Sequence, residues 1–486
     1  MTRARKNEIV GSRPLVEDIK KVSRSRREQL SRLDQTRGTS PPRNDLRPAL
    51  ALVEVALDEL KMPSRNVRRL DPAHVREVVN AIAEIGFCSP VLIGKNNVVL
   101  DGVVRVEAAR LLGMTTAPCI RVDHLSEPQQ RVLRLAVNRL GEKGQWDLET
   151  LKVELQELII LDEPIEVAGF DGSEIDQILL GEEAEGFEEG PLAPTGGAAP
   201  MAKIGDTFQL GVHRLACGDA TDAAVLDRLF TLDVNKVRLL LTDEPYNVHI
   251  AGNVTGSDHR EFAMASGEMS DEQFLDFNHR WMEATLVHLV DGGVFGTFID
   301  WRGNAIVHAA ARKLGLSPLN LIVWAKTNAG MGSLYRSQHE LLPLFKKGAV
   351  PHVNNINLGR KGRWRSNVWT YAGASSLGSD ARRGLQDHPT VKPSAMLGDA
   401  LLDLTHRGDI VLDPFLGSGS MLVAAEKVGR VCRGVELDPV YVDVAIRRWE
   451  LMTGKVALLV ETGETSDQVR RRRAVDKASP PRTLGN

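Results

Sequence analysis

An acid, a proline and an aromatic ring stand together in Asp243-Glu244-Pro245-Tyr246, at the end of the apolar run Val237-Arg238-Leu239-Leu240-Leu241. A carboxylate beside backbone carbonyls and a flat ring can grip a planar amino group by its edge and its face. About 170 residues on, a second apolar run, Ile410-Val411-Leu412, enters Asp413-Pro414-Phe415-Leu416-Gly417-Ser418-Gly419-Ser420. Glycine at 417 and 419 lets the backbone turn sharply and approach a ligand with no Cβ in the way. The strand pattern Val431-Cys432-Arg433-Gly434-Val435-Glu436 then ends in an acid 17 residues after Gly419. That is about where a carboxylate meets ribose hydroxyls in a doubly wound sheet. Taken alone, a Gly-x-Gly turn would serve NAD equally well.

Both sites need a scaffold that joins strand ends far apart in the chain. At 486 residues the chain is too long for one core, and two or three domains are expected. Residues 203–462 alternate strand and helix patterns at the pace of an α/β domain. Residues 49–180 read as a smaller α+β domain. It has a strand over Val53–Leu57, a helix opened by Asp71-Pro72, and two strands either side of Asn96-Asn97. Residues 1–48 carry 13 Lys and Arg against 6 Asp and Glu and read as a disordered basic arm, with one short helix near Asp18–Leu33. Residues 181–202 are a flexible acidic linker by composition, and 463–486 a disordered basic tail.

Composition sets the class. Hydrophobic residues at 42% and charged residues at 26% are ordinary for a soluble protein, and a net charge of −3 leaves any nucleic-acid role to local charge. The four cysteines are scattered without a CxxC pair, which argues against a structural zinc site or disulfide framework and suits a reducing cytosol. No apolar run approaches the roughly 18 residues of a membrane span. The expectation is a cytoplasmic protein with no metal and no membrane contact.

Three motifs fit one family. Asp413–Ser420 resembles motif I of the β-class DNA amino-methyltransferases, which act on adenine N6 or cytosine N4. Asp243–Tyr246 resembles their catalytic tetrapeptide, and His388-Pro389-Thr390-Val391-Lys392-Pro393 the segment that helps seat the methionine end of S-adenosylmethionine. The order, with the catalytic motif first and the cofactor loop last, is the circularly permuted order of that class. The resemblance implies a Rossmann-like seven-stranded methyltransferase sheet and S-adenosylmethionine as cofactor. It would be held by Asp413, Pro414, Phe415, Gly417, Ser418, Gly419, Glu436 and Lys392, with Asp219 on the adenine amino group or, equally, a helix cap. It also implies that Asp243 and the Glu244 carbonyl accept from the target amine while Pro245 shapes the turn and Tyr246 stacks on a flipped base. Glu244 departs from the family, which has proline there. The carbonyl survives, the fixed φ is lost, and a negative charge arrives near a cationic cofactor, which makes activity uncertain.

Target recognition is expected in 349–388, where Arg360, Lys361, Arg363 and Arg365 are interleaved with Trp364, Trp369 and Tyr371, joined by Arg336 from the preceding loop. Trp301 reads as a core residue before a site residue. The N-terminal domain resembles the ParB-like (ParB/sulfiredoxin) domain, including Ala136-Val137-Asn138-Arg139-Leu140. Its turn, Asp101-Gly102-Val103-Val104-Arg105, keeps Gly102 and Arg105 for an anion site, with Arg65, Arg68 and Arg69 nearby in sequence, but has Val103 in place of a likely proton acceptor. A DNA-docking or regulatory role is therefore favoured over nucleotide hydrolysis. The reading is a DNA methyltransferase acting on double-stranded DNA, adenine N6 before cytosine N4, with homodimerisation and a paired restriction enzyme left open. The alternatives are a methyltransferase-fold DNA-binding regulator without turnover, and a ParB-like nucleotide-dependent DNA-binding protein.

Overall fold

The computed structural model describes residues 48, 50–64, 68–161, 163, 165–180, 200–230, 237–247, 267–327, 334–356, 365–371 and 392–478. The basic arm (apart from Pro48), Arg65, most of the acidic linker, Arg360, Lys361, Arg363, Trp364 and His388–Val391 lie outside the described residues. By compactness the chain divides into 1–145 and 146–486.

In the N-terminal unit, β1 (Leu52–Ala56), β2 (Val91–Ile93), β3 (Val99–Asp101) and β4 (Thr116–Arg121) form a sheet of order β1-β4-β2-β3. Asn96 and Asn97 both take φ 58° between β2 and β3, a left-handed turn that asparagine tolerates. Helix α1 (Pro72–Ile85) starts where sequence puts it, because Asp71 accepts from the Ala73 N–H and Pro72 has no N–H to satisfy. Helix α2 (Val103–Leu111) follows left-handed Gly102, and α3 (Glu127–Gly141) opens on a Ser126/Gln129 capping box. Val55, Val91, Ile93, Val99, Val106 and Cys119 fill the core.

The C-terminal unit begins with α4 (Leu148–Ile160) and α5 (Gly172–Leu180), 35 residues before the boundary expected at 180. Its sheet comprises β5 (Thr207–Leu210), β6 (His213–Cys217), β7 (Val237–Thr242), β8 (Leu289–Thr297), β9 (Ser317–Lys326), β10 (His339–Lys346), β11 (Val368–Tyr371), β12 (Ile410–Asp413), β13 (Val431–Glu436) and β14 (Leu458–Leu459). Helices α6 (Ala223–Asp227), α7 (Asp271–Leu286), α8 (Asn304–Lys313), α9 (Ser394–Leu404), α10 (Ser420–Val428), α11 (Pro439–Thr453) and α12 (Ser466–Ala478) complete it. The α/β architecture is as expected, but the sheet has ten strands among the described residues, in the order β11-β9-β10-β8-β7-β12-β13-β6-β5-β14. Strands as short as the two-residue β14, paired antiparallel with β5, leave no periodic signal in the sequence.

Strands β8, β7, β12, β13 and β6 run parallel. Alternation along them splits the core in two. Leu239, Leu241 and Val411 enter one apolar cluster while Leu240, Ile410 and Leu412 enter the other, one on each face of the sheet. The chain leaves β7 for β8, β9 and β10 on one side and returns to β12 on the other, with Leu239 opposite Val411 and Leu240 opposite Leu412. Such a switch point opens a crevice at the carboxyl ends of the strands.

Two boundary expectations change. Residues 463–486 were expected as a disordered tail, but α12 occupies Ser466–Ala478 with Val469 fully buried. Arg473 donates to Asp206 through both terminal nitrogens (2.5 and 2.8 Å) and to the Met201 carbonyl, so this arginine run is anchored rather than solvated. At the other border, Met201 and Ala202 are buried and donate their N–H groups to Asp443 (2.7 and 2.9 Å), so the last two residues of the expected linker belong to the packed fold.

Candidate active site

At the end of β12 the chain enters the glycine turn. Gly417 and Gly419 take φ 56° and 87°, and Gly419 caps α10. The Gly417 N–H donates to Glu436 Oε2 (2.8 Å) and the Asp438 N–H to Glu436 Oε1 (2.7 Å), so the acid ending β13 holds the turn in shape. From α11 beneath, buried Arg448 donates to the Ser418 carbonyl (2.8 Å). A Cβ on Gly419 would lie 2.8 Å from Ala445 Cβ, which assigns that glycine to helix packing rather than ligand approach. Phe415 likewise turns into the core, edge-on to Trp281 at 5.3 Å. Asp219 sits after β6, whose Cys217 is in register with Glu436, and accepts from the Thr221 N–H and hydroxyl (2.8 and 2.9 Å). It is a turn-stabilising residue at the same end of the sheet.

The two chain-distant motifs meet directly. Thr242 Oγ1, just before the tetrapeptide, donates to Asp413 Oδ1 (2.6 Å) at the end of the neighbouring strand. Burial pushes the Asp413 carboxyl up to about 7, against this bond and one from the Phe415 N–H. Burial also pushes Glu436 up to about 7, against the N–H groups of Asp438 and Gly417. The pocket end of the sheet is thus ringed by carboxylates costly to ionise without a positive partner.

Around Asp243 lies a second network. Tyr246 Oη lies 2.7 Å from Asp243 Oδ1 and 3.0 Å from Glu340 Oε2, and its single proton serves one of the two carboxylates at a time. Lys392 Nζ bonds to Asp243 Oδ2 (2.5 Å) and pairs with Glu340 Oε2 (3.2 Å), and Lys326 pairs with Glu340 Oε1. Sequence reasoning placed Lys392 at the cofactor, whereas the structure places its ammonium on Asp243. Glu340 and Lys326 were missed. The available signal was an acid and a lysine at the matching ends of paired strands β10 and β9, all at the end of the sheet where β7 stops.

Charges settle unevenly. Burial works to raise the Glu340 carboxyl, but the ammoniums of Lys392 and Lys326 beside it bring it down to about 2. Asp243 is raised, by burial first and then by the Glu340 charge, against the pull of Lys392. Glu244 is 1% exposed, and neither carboxyl oxygen has a hydrogen-bond partner among the described residues. Burial, and then the Asp243 charge, pushes its pKa well above the ordinary value. Burial thus disfavours the negative charge that the sequence leads one to expect at Glu244.

Other expected residues fare differently. Arg365 was expected on DNA, but it is part-buried, donates to Asp399 (3.0 Å), Asp403 (3.2 Å) and the Tyr371 hydroxyl (3.0 Å), and lies 5.0 Å over Trp369. Its charge is spent inside the fold. Arg336 is exposed in the turn before β10. Trp301 is not core: it is 64% exposed, with the Arg302 guanidinium 5.6 Å from its ring centre. In the N-terminal unit, left-handed Gly102 (φ 98°) opens α2, and Arg105 pairs with Asp101 (2.6 Å) and Ser89. Arg68, Arg69, Arg105, Arg134 and His74 line a cavity of about 420 Å³ there. Among the described residues no cluster of His, Cys, Asp and Glu could hold a metal ion, and no helix is long and apolar enough to cross a membrane.

Comparison with known proteins agrees with the C-terminal unit. A Type II methyltransferase, M.HpaI of Haemophilus parainfluenzae, is 25% identical over 49% of this chain and 74% of its own length. M2.DpnII, a Type II methyltransferase of Streptococcus pneumoniae, is 28% identical over 44% of this chain and 82% of its own. A crystal structure of the chromosome-partitioning protein ParB from Caulobacter crescentus, complexed with CTP-gamma-S, aligns with 28% of this chain and 83% of its own, at 16% identity and a TM-score of 0.24. The DNA methylase family matches residues 237–447, a span that takes in both Asp243–Tyr246 and Asp413–Ser420. That stretch of the chain is a domain of the N6/N4 DNA methylase family.

Proposed function

We propose that the C-terminal unit transfers a methyl group from S-adenosylmethionine to the exocyclic amine of a flipped base in double-stranded DNA, adenine N6 before cytosine N4. One observation carries this reading. Asp243 and the glycine turn after Asp413 emerge from adjacent parallel strands and are tied through Thr242 to Asp413. A base held at the first then lies beside a nucleoside held at the second. The residues present suit the cofactor: a turn with glycine at 417, acids at 219 and 436 for amine and hydroxyl groups, and buried carboxylates that a cation would relieve. When bound, the cofactor supplies a methyl group made electrophilic by a sulfonium.

The chain's own work is alignment. Asp243 Oδ and the Glu244 carbonyl accept the two amine hydrogens, which favours the tetrahedral nitrogen whose lone pair can attack. Asp243, raised by its burial, is suited to take the proton the nitrogen sheds. Tyr246, clamped through its hydroxyl, offers a fixed ring face for the base. Burial disfavours the charged form of Glu244, which lessens its repulsion of a nucleic acid and keeps the departure from proline compatible with turnover. Incubation with tritiated cofactor and DNA tests this. Asp243→Asn should lower incorporation by about 100- to 1,000-fold while leaving cofactor binding nearly intact. A wild-type protein that binds cofactor and DNA yet incorporates no label would instead be the DNA-binding regulator.

For the N-terminal unit we infer a docking or regulatory role through an anion. The arginine-lined cavity beside Gly102 supports it. Arg105, held on Asp101 rather than on solvent, is the residue such an anion would have to recruit.

A further inference from the structure

We propose that Glu340 is a positioning residue of the methyl-transfer site: it holds Lys392 and Tyr246 around Asp243 and takes over the Lys392 ammonium when a base amine claims Asp243 Oδ2. The inference rests on the methyl-transfer reading above and adds a residue to it.

Both oxygens of Asp243 are engaged as it stands, Oδ1 by the Tyr246 hydroxyl and Oδ2 by the Lys392 ammonium, which competes with an amine for that oxygen. An incoming amine needs one of those oxygens. Tyr246 is poorly placed to yield, since its ring packs against the apolar clusters on both faces of the sheet. Lys392 has a flexible four-carbon stem and three donor directions. It cannot simply leave, because it is only 6% exposed, and a buried ammonium without a carboxylate is strongly disfavoured. Glu340 Oε2 lies 3.2 Å from the same Nζ and offers the alternative partner.

Glu340 is built to stay put. It sits on β10, paired through Trp324 with β9 on one side, while the same strand pairs with β8 on the other. Lys326 pairs with its Oε1, leaving Oε2 directed at Lys392 and Tyr246. The rings of Phe298, Tyr246 and Trp324 lie 5.2, 5.5 and 5.8 Å from Lys392 Nζ and favour a cation between them. The ammonium can therefore pivot from one carboxylate to the other without leaving its aromatic surroundings.

Glu340→Gln in the full chain tests this, because the amide keeps the shape and an acceptor for Tyr246 but lacks the charge. On amplified, unmodified DNA, kcat should fall about 10- to 100-fold with KM for DNA changed little. Lys392 would then have Asp243 as its single carboxylate, and the acid limb of the kcat–pH profile should move about one unit lower. Glu340→Asp, which keeps the charge and guards against a folding defect in the amide variant, should recover part of kcat with the limb at its wild-type position. An amide variant within twofold of wild type would overturn the proposal, and so would a fall in kcat with an unmoved limb. A readout free of turnover separates this from the functional reading: carboxyl ¹³C NMR titration of Asp243, assigned by its loss in Asp243→Asn. A lower midpoint in Glu340→Gln supports the proposal, whereas equal midpoints sink it. A wild-type protein inert on DNA, with the Asp243 midpoint still lower in Glu340→Gln than in wild type, would sink the methyl-transfer reading alone.

Discussion

Each unit of this protein starts a helix on a left-handed glycine, and the two glycines are nearly superimposable in conformation: φ 98°, ψ 21° at Gly102 and φ 87°, ψ 25° at Gly419. What surrounds them differs. The missing Cβ of Gly102 would face the end of a movable side chain, Arg105 Nε at 2.9 Å, beside an open cavity. The missing Cβ of Gly419 would face Ala445 Cβ at 2.8 Å in the adjoining helix. One turn makes room for a cation, and the other lets two helices touch. In the second, Gly417 also takes a positive φ, and its N–H is fixed by Glu436. A glycine before a helix reports backbone shape; its neighbours decide the use.

The contrast can be sharpened first through charge. Burial pushes the Glu436 carboxyl up to about 7 from an ordinary 4.5. Between these values the folded state keeps a proton that the unfolded chain has lost, so stability falls as pH rises across the window and levels off above it. Glu436→Gln has no such proton. Denaturant unfolding at a series of pH values should show wild type losing up to about 3 kcal/mol relative to the variant from pH 4.5 to 7. Parallel curves would mean that the carboxylate is not buried as described.

The glycines themselves give smaller, ordered effects. Gly419→Ala combines an unfavourable φ with a collision against a helix backbone and should lower stability by about 2–3 kcal/mol. Gly102→Ala carries the conformational term, since the Arg105 head can move aside, and should lose about 1 kcal/mol. Equal losses in the two melts would break the distinction drawn between the turns.

The part of the design legible in the sequence is the part written in local pattern. Apolar runs ending in Asp243 and Asp413 announced two strand ends, Asp71-Pro72 announced a helix start, and Asn96-Asn97 a turn. All are local backbone or capping chemistry, and the structure bears them out. Residues defined by distant partners were not legible. Arg365 and Arg473 look like surface charge until Asp399 and Asp206 are seen opposite them. Glu340 lies 94 residues from Tyr246 and 52 from Lys392, and no spacing rule links them. Glu244 misled for another reason: burial without a hydrogen-bond partner among the described residues disfavours the charge that the sequence implies.

Arg430 joins α5 to the body of the C-terminal unit with both terminal nitrogens on Asp176, at 2.9 and 2.7 Å, and its side chain has no solvent exposure. The acidic run 181–199 lies between these partners in sequence, so proteolytic nicking there would cut the backbone without dissociating the pieces. Pulling the upstream helix away would take the Asp176 carboxylate from a buried guanidinium and leave it the neutral oxygens of Thr405 and Val428, at about 3–5 kcal/mol.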